Sequence, residues 1–304
     1  MTKNNRSITL LTLSTIAILT LLISLGLLVI NNINSPNAHF NGERAMGDVE
    51  RQVSFGPRTP GSVAHAQTVE YIRVELENHN WNVRIQETSL LDKPIRNIIG
   101  QRGEGRPWMI LGAHYDSRLL ADRDADPSKH NQPVPGANDG ASGVAVLLEL
   151  GRVIPQDLPG QVWLVFFDAE DNGRIAGWDW ILGSQAFVNA LTDHPDAAII
   201  VDMIGDSDLN IYQERNSDVA LTQEIWAIAQ SLEYSNEFIS QYKHSMLDDH
   251  TPFLRAGIPA VDIIDFDYPY WHTTQDTPDK VSATSLQIVG DTLLKFLTQR
   301  NRKQ

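Results

Sequence analysis

The sequence predicts an α/β fold built on a mostly parallel sheet, in one domain, behind an N-terminal transmembrane helix. Three observations predict it. Short apolar runs ending in acids or histidine alternate with segments whose apolar residues recur at helical spacing, the pattern of parallel strands joined by helices. The apolar run Leu164-Val165-Phe166-Phe167 leads into the acid pair Glu170-Asp171, and the stretch reads as a buried parallel strand delivering these acids as its last two residues to the carboxyl edge of a sheet. Residues 8–30 form a stretch of 23 uncharged positions preceded by Lys3 and Arg6.

Composition narrows the functions available. With 304 residues, 42% of them apolar, the chain can bury one large core. A formal charge of -14 excludes nucleic acid as a partner. The chain has no cysteine, which rules out disulfides, a thiolate zinc site, a cysteine nucleophile and a lipoprotein anchor. Any metal must therefore be held by His, Asp and Glu.

Taken in order, residues 1–7 form a short basic flank expected to stay in the cytoplasm. Residues 8–30, at 1.5 Å rise per residue, span a hydrocarbon core of about 30 Å and read as a signal anchor. This places the chain at the cell membrane with the remainder outside. The rival is a cleaved signal peptide and a secreted product, but no A-x-A-like site follows directly. Residues 31–41, rich in Asn and containing Pro36, read as a linker, and 42–304 as the globular domain. Within it, 64–79 has helical periodicity, while 82–87, 97–100 and 108–112 read as strands. His114 and Asp116 follow the last of these; Asp116 either orients His114 or caps its loop. Residues 119–135 form a polar loop in which His130 is expected to face solvent.

The segment 136–143, Gly-Ala-Asn-Asp-Gly-Ala-Ser-Gly, lets backbone approach closely, and Asp139 stands just before a helix at 144–153. An N-cap is the ordinary role for such an acid. The insertion 172–182 carries Trp178 and Trp180, which either rim a pocket or pack on the body. A strand at 197–201 ends in Asp202, and a helix follows at 222–232. Asp248-Asp249-His250 then precedes a helix, where acids commonly cap. A last strand at 258–264 leads to the aromatic loop 266–274, which contains Trp271-His272. Leu286, Val289, Leu293 and Phe296 mark a closing helix over 284–297.

Two imidazoles, His114 and His272, and four carboxylates, Asp139, Glu170, Asp171 and Asp202, thus follow successive α/β segments. Adjacent acids invite a division of labour in which one binds a metal and its neighbour moves a proton. The order His114, Asp139, Glu170-Asp171, Asp202, His272, with its Gly-Ala-Asn-Asp-Gly-Ala-Ser-Gly segment, resembles the M28 zinc aminopeptidase superfamily over residues 45–298. That resemblance implies an α/β/α sandwich around a central mixed, mostly parallel sheet, with zinc as cofactor and peptide or protein N-termini as substrate.

Two branches of the superfamily compete. In the co-catalytic aminopeptidases the resemblance assigns His114, Asp139, Asp171, Asp202 and His272 to two zinc ions, with Glu170 as general base. In the glutaminyl-peptide cyclotransferases it assigns one zinc to Asp139, Asp171 and His272. Glu170 then moves the proton, and Asp202 and Asp248 form a hydrogen-bonded acidic pair.

Four features lean toward the cyclases. Residues 248–259 are similar to their DDH-x-PFLR-x-G-x-P motif, and Trp271-His272-Thr273 to their Trp-His-Thr, whose indole lines the substrate pocket. The interval from Asp171 to Gly183-Ser184 is long, and Arg58-Thr59-Pro60-Gly61-Ser62 is similar to the opening segment of cyclases. Against these stand the aminopeptidase-like form of residues 136–143 and the presence of His114, which leaves His114 and Asp202 as candidates for a second metal. Asp171 also departs from the Glu usual in both branches, and the disulfide of animal cyclases is missing. The expectation is a membrane-anchored zinc glutaminyl cyclase, with Glu170, Asp202 and Asp248 catalytic and Trp271 with Trp178, or Trp180, walling the substrate. The alternative is a di-zinc aminopeptidase.

Overall fold

The computed structural model describes residues 39–300. The expected cytoplasmic segment 1–7, the anchor 8–30 and most of the linker 31–41 lie outside the described residues. Among the described residues no helix is long and apolar enough to cross a membrane. The end of the expected linker belongs to the folded body: Phe40 is buried against Gly290, and Asn41 caps the first helix.

That helix, α1 (Gly42–Ser54), has no counterpart in the sequence expectation. Its signals are local: the Asn41 side chain accepts from the Arg44 N–H, and Ala45, Val49 and Gln52 turn inward at helical spacing. Helix α2 (Val63–Asn78) starts on Ser62, whose hydroxyl accepts from the His65 N–H at 3.0 Å. Strands β1 (Asn82–Leu90) and β2 (Lys93–Gly103) form one antiparallel hairpin, longer than the two separate strands expected. Leu91 and Asp92 close it with left-handed φ values of 52° and 58°, the turn that matches the twist of paired strands.

Strand β3 (Trp108–His114) runs through α3 (Ala141–Val153) to β4 (Gln161–Phe167), which runs through α4 (Leu182–Asn189) to β5 (Ala197–Asp202). A separate two-stranded parallel pair, β6 (Ile211–Gln213) and β7 (Phe238–Tyr242), is linked by α5 (Val219–Ser231). Neither of its short strands alternates in burial long enough to be read from sequence. Helix α6 (Thr251–Arg255), β8 (Ala260–Ile264) and α7 (Ala283–Arg300) complete the chain.

The main sheet has the order β1-β2-β4-β3-β5-β8. Its last four strands are parallel and the hairpin is antiparallel, so the sheet is mixed, as expected. Trp108, Ile110, Val165, Phe167 and Ile200 on one face meet Phe187 of α4 and Phe253 of α6. On the other face Gly143 of α3 lies against Ala113, and α1, α3 and α7 pack together. From β3 the chain goes to β4 on one side and then crosses back to β5 on the other. Strand order reverses at β3, so a crevice opens outside the carboxyl ends of β3, β4 and β5.

Candidate active site

Strand β4 ends at Phe167, so Glu170 and Asp171 occupy the turn beyond it and are not its last residues. Asp168 closes the strand with one carboxylate oxygen 2.7 Å from His65 Nε2 and the other accepting from the Arg96 N–H at 2.8 Å. Ala169 then takes a left-handed φ of 53°, which swings the next two residues into the crevice. Asp116 holds them there: it accepts from the N–H groups of Glu170 at 3.0 Å and Asp171 at 3.4 Å. The same carboxylate stands 3.5 Å from His114 Nδ1, so Asp116 both orients the histidine and fixes the turn.

Asp139 does not cap α3. The cap position is Gly140 and no side chain bonds there. Instead Oδ1 of Asp139 lies 3.0 Å from His114 Nε2, and Oδ2 lies 3.7 Å from His272 Nε2. Asp276 sets this turn by accepting from the N–H groups of Asn138 at 2.8 Å and Asp139 at 3.2 Å, and itself takes a hydrogen bond from the Tyr268 hydroxyl at 2.7 Å. Arg58, fully buried, donates to the carbonyls of Tyr115, Pro135 and Gly136 and so stitches the same loop to β3. A Cβ at Gly140 would fall 2.5 Å from both Nε2 and the carbonyl oxygen of His114, so only glycine fits.

Two triads result, sharing Asp139: Asp139–Asp171–His272 and His114–Asp139–Asp202, all buried, each with ligand atoms within 4.8 Å of one another. Asp171 Oδ1 is 2.7 Å from His272 Nε2, and Asp202 Oδ1 is 3.2 Å from His114 Nε2. Burial pushes the Glu170 carboxyl well above its usual range; the charges of Asp171, Asp248 and Asp249 add to the push and His114 opposes it. Burial raises Asp171 to about 6, helped by the charge of Asp139. Burial likewise raises Asp202 to about 7, with Asp248 and Asp139 adding and the hydrogen bond to His114 opposing. Burial alone would lower His272, but Asp171, Asp122 and Asp139 outweigh it and lift it to about 9.

Carboxylates crowded this closely in a dry crevice need a proton or a cation to balance them. Asp139 Oδ2 and Asp171 Oδ2 are buried with no hydrogen-bond partner, which suits atoms meant for a metal. A donor set of carboxylate oxygens and imidazole nitrogen, without thiolate, fits zinc.

The aromatic residues divide. Trp271 stacks on His272 with ring centroids 3.7 Å apart and meets the edge of Phe266 at 5.0 Å. Trp180 lies parallel to the same imidazole at 6.0 Å. Trp178 is placed elsewhere: it packs with Leu90 on a cluster of Ile95, Ala169, Leu182 and Ala186, under the Lys93 ammonium at 4.6 Å. Of the two tryptophans of the insertion, Trp180 and not Trp178 lies beside His272. Asp248 is buried beside the site, and its charge bears on both Glu170 and Asp202. Asp202 bonds His114 and feels the charge of Asp248, which itself lies against Asp262.

Sequence reasoning missed Asp276, Arg58 as a loop clamp, and Asp122, which reaches within 3.6 Å of His272 Nδ1 from the polar loop. That loop is not wholly exposed: Asp124 is buried and accepts from the Thr274 N–H at 2.9 Å, and His130 is half-buried with Nε2 2.8 Å from the Asp124 carbonyl. The alternation of Asp122, Asp124 and Asp126 was the available signal.

Residues 97–297 match peptidase family M28. The crystal structure of Tannerella forsythia glutaminyl cyclase superposes with a TM-score of 0.79 at 35% identity, covering 86% of this chain and 99% of that one. A Zn-dependent exopeptidase from Parabacteroides distasonis superposes with a TM-score of 0.81 at 34% identity, over 86% of this chain and 99% of the other. The glutaminyl-peptide cyclotransferase of Gloydius blomhoffii is 25% identical over 292 residues, 80% of this chain and 76% of its own length. The chain belongs to peptidase family M28, in the company of bacterial glutaminyl cyclases.

Proposed function

We propose that this chain is a zinc-dependent glutaminyl-peptide cyclotransferase, converting an N-terminal Gln to pyroglutamate with release of ammonia. The observation that carries the reading is Asp248, the first residue of the cyclase-like segment 248–259, buried where its charge bears on both Glu170 and Asp202, with Glu170 a buried carboxyl next to Asp171. Asp139, Asp171 and His272 would hold the zinc, which when bound supplies polarisation of the γ-carboxamide carbonyl. Glu170 accepts a proton from the α-amine as the amine nitrogen bonds to the carbonyl carbon (Cδ) of the γ-carboxamide, and returns it to the amide nitrogen as the bond from that carbon to the amide nitrogen breaks and ammonia leaves. Asp248 and Asp202, the second raised by burial to about 7, hold the substrate amine by charge and hydrogen bonding. Trp180 and Trp271 fold the Gln side chain back on its own amine, and since both reacting groups sit on one residue this positioning is most of the task.

The His114–Asp139–Asp202 triad favours a second reading, a di-zinc aminopeptidase in which Glu170 takes a proton from water. The metal count and the products separate the two. About one zinc per chain and a Gln-initiated peptide that loses only ammonia support cyclisation. About two zincs, with free N-terminal residues in solution, reject it. His114→Ala adds a third arm: the rate per folded molecule stays near the parent's in a one-zinc cyclase and collapses in a two-zinc hydrolase. The uncharged run of residues 8–30 supports a cell-membrane anchor that leaves the catalytic domain outside. Recovery of the full-length chain in the soluble fraction after lysis would overturn that part of the proposal.

A further inference from the structure

Arg118 takes no part in the chemistry above, yet it touches the site's scaffolding at Asp171, Gly173, Asp122 and Trp180. Its side chain is buried, 2% exposed. Nη1 donates to the carbonyl of Asp171 at 2.9 Å and Nη2 to that of Gly173 at 3.2 Å. Nε and Nη2 grip the two oxygens of Asp122 at 2.9 and 2.8 Å. Asp122 stands 3.6 Å from His272 Nδ1, the ring nitrogen that faces away from Asp171. The guanidinium also lies 5.1 Å from the indole of Trp180, against which a Cβ at Gly173 would come within 2.1 Å.

One planar cation therefore joins the backbone of one metal ligand, the carboxylate behind a second, and the aromatic wall. We propose that Arg118 is the positioning residue of the Asp139–Asp171–His272 metal site, placing Asp171 through its backbone carbonyl and a 3.9 Å ion pair to its Oδ1, and His272 through Asp122. The need is peculiar to an aspartate at 171. A glutamate has an extra methylene and can swing to reach a metal, whereas the short side chain puts its oxygens wherever the backbone is held. A carboxylate behind a ligating imidazole fixes the ring's orientation and raises its basicity, and losing such support typically costs about 10–100-fold in metal affinity. Lysine cannot replace the guanidinium, because a single ammonium cannot make the forked contact with Asp122 and still reach two carbonyls.

The inference rests on the zinc reading of this triad, and its test is read without turnover. Zinc affinity of the full-length protein is measured by chelator competition for the parent, Arg118→Lys, Asp122→Asn, Asp171→Glu and the Arg118→Lys/Asp171→Glu double variant. Melting of each zinc-free protein reports on the fold. Arg118→Lys and Asp122→Asn are expected to weaken zinc about 10–100-fold, with little change in zinc-free melting for Asp122→Asn, whose side chain is partly exposed. Asp171→Glu alone weakens zinc, but in the double variant it recovers most of the loss, since the longer ligand no longer depends on the backbone hold. Parent-like affinity in both single variants, or losses that simply add in the double variant, overturns the proposal. A merely structural arginine would lower zinc-free melting and leave the affinity of the folded fraction intact, which also overturns it. A protein that binds zinc as expected but fails to cyclise sinks the proposed reaction and leaves this result standing.

Discussion

His272 Nε2 lies 2.7 Å from Asp171 Oδ1 across 101 residues of sequence. The contact joins the turn after β4 to the loop after β8, and Asp139 closes the third corner from the loop before α3. If this corner is a zinc site, His272→Ala removes the sole nitrogen ligand of the triad. Zinc affinity is expected to fall by more than about 100-fold, beyond what loss of an outer partner costs. Equilibrium dialysis against zinc checks this.

Glu170→Gln keeps the shape of the side chain and removes its ability to take a proton. The rate should drop about 10²–10⁴-fold, the usual contribution of a positioned general base. Zinc content should not change, because Glu170 is outside the triad. Parallel measurement of kcat and metal content distinguishes loss of the base from loss of the metal.

Trp180 and Trp178 are two residues apart and should behave differently. Trp180→Ala removes the ring parallel to His272 and is expected to lower kcat/KM by about tenfold or more, in line with the worth of a well-placed aromatic contact. Trp178→Ala, on the outer cluster, should change kcat/KM less than about threefold. Gly173→Ala should mimic Trp180→Ala, since its Cβ would lie 2.1 Å from the indole and displace it. Steady-state kinetics on the three variants tests the assignment.

Burial holds Asp202 and Asp276 at about 7, with the Asp139 charge adding to the push in both. The unfolded chain releases these protons near pH 4. Between about pH 4 and 7 the folded, zinc-free protein therefore binds more protons than the unfolded one, and its stability falls as pH rises. His272, lifted to about 9, works in the same direction as pH rises from about 6.5 to 9. Asp139, whose pKa lies below its usual value, is ionised in both states across this window and does not reverse the trend. The zinc-free protein should melt at a higher temperature at pH 5 than at pH 8. Zinc should stabilise more at pH 8, because its ligands must give up protons to bind it. Calorimetric melts with and without zinc at the two pH values measure both effects.

Much of this could be read from the sequence, for identifiable reasons. Buried parallel strands such as Trp108–His114 and Ala197–Asp202 are continuous apolar runs, and their ends carry His114 and Asp202, so strand and site are legible together. The partners that hold the ligands are not. Asp276 bonds Asp139 from 137 residues away, and Arg118 reaches Asp171 from 53; no local period marks such pairings. Helix α1 carries little apolar signal, since of its inward residues Ala45, Val49 and Gln52 only Val49 is a sizeable hydrophobe, and β6 is only three residues long. The insertion's two tryptophans were visible, but which one turns inward depends on the path of a turn that has no regular period.

The most direct test is a crystal of the zinc-loaded protein measured at the zinc absorption edge. The account predicts one strong anomalous peak within bonding distance of Asp139, Asp171 and His272, with Glu170 beside it and outside bonding range. A second equal peak between His114 and Asp202 would move the chemistry to peptide hydrolysis, and the absence of any peak at the Asp139–Asp171–His272 corner would contradict the account altogether.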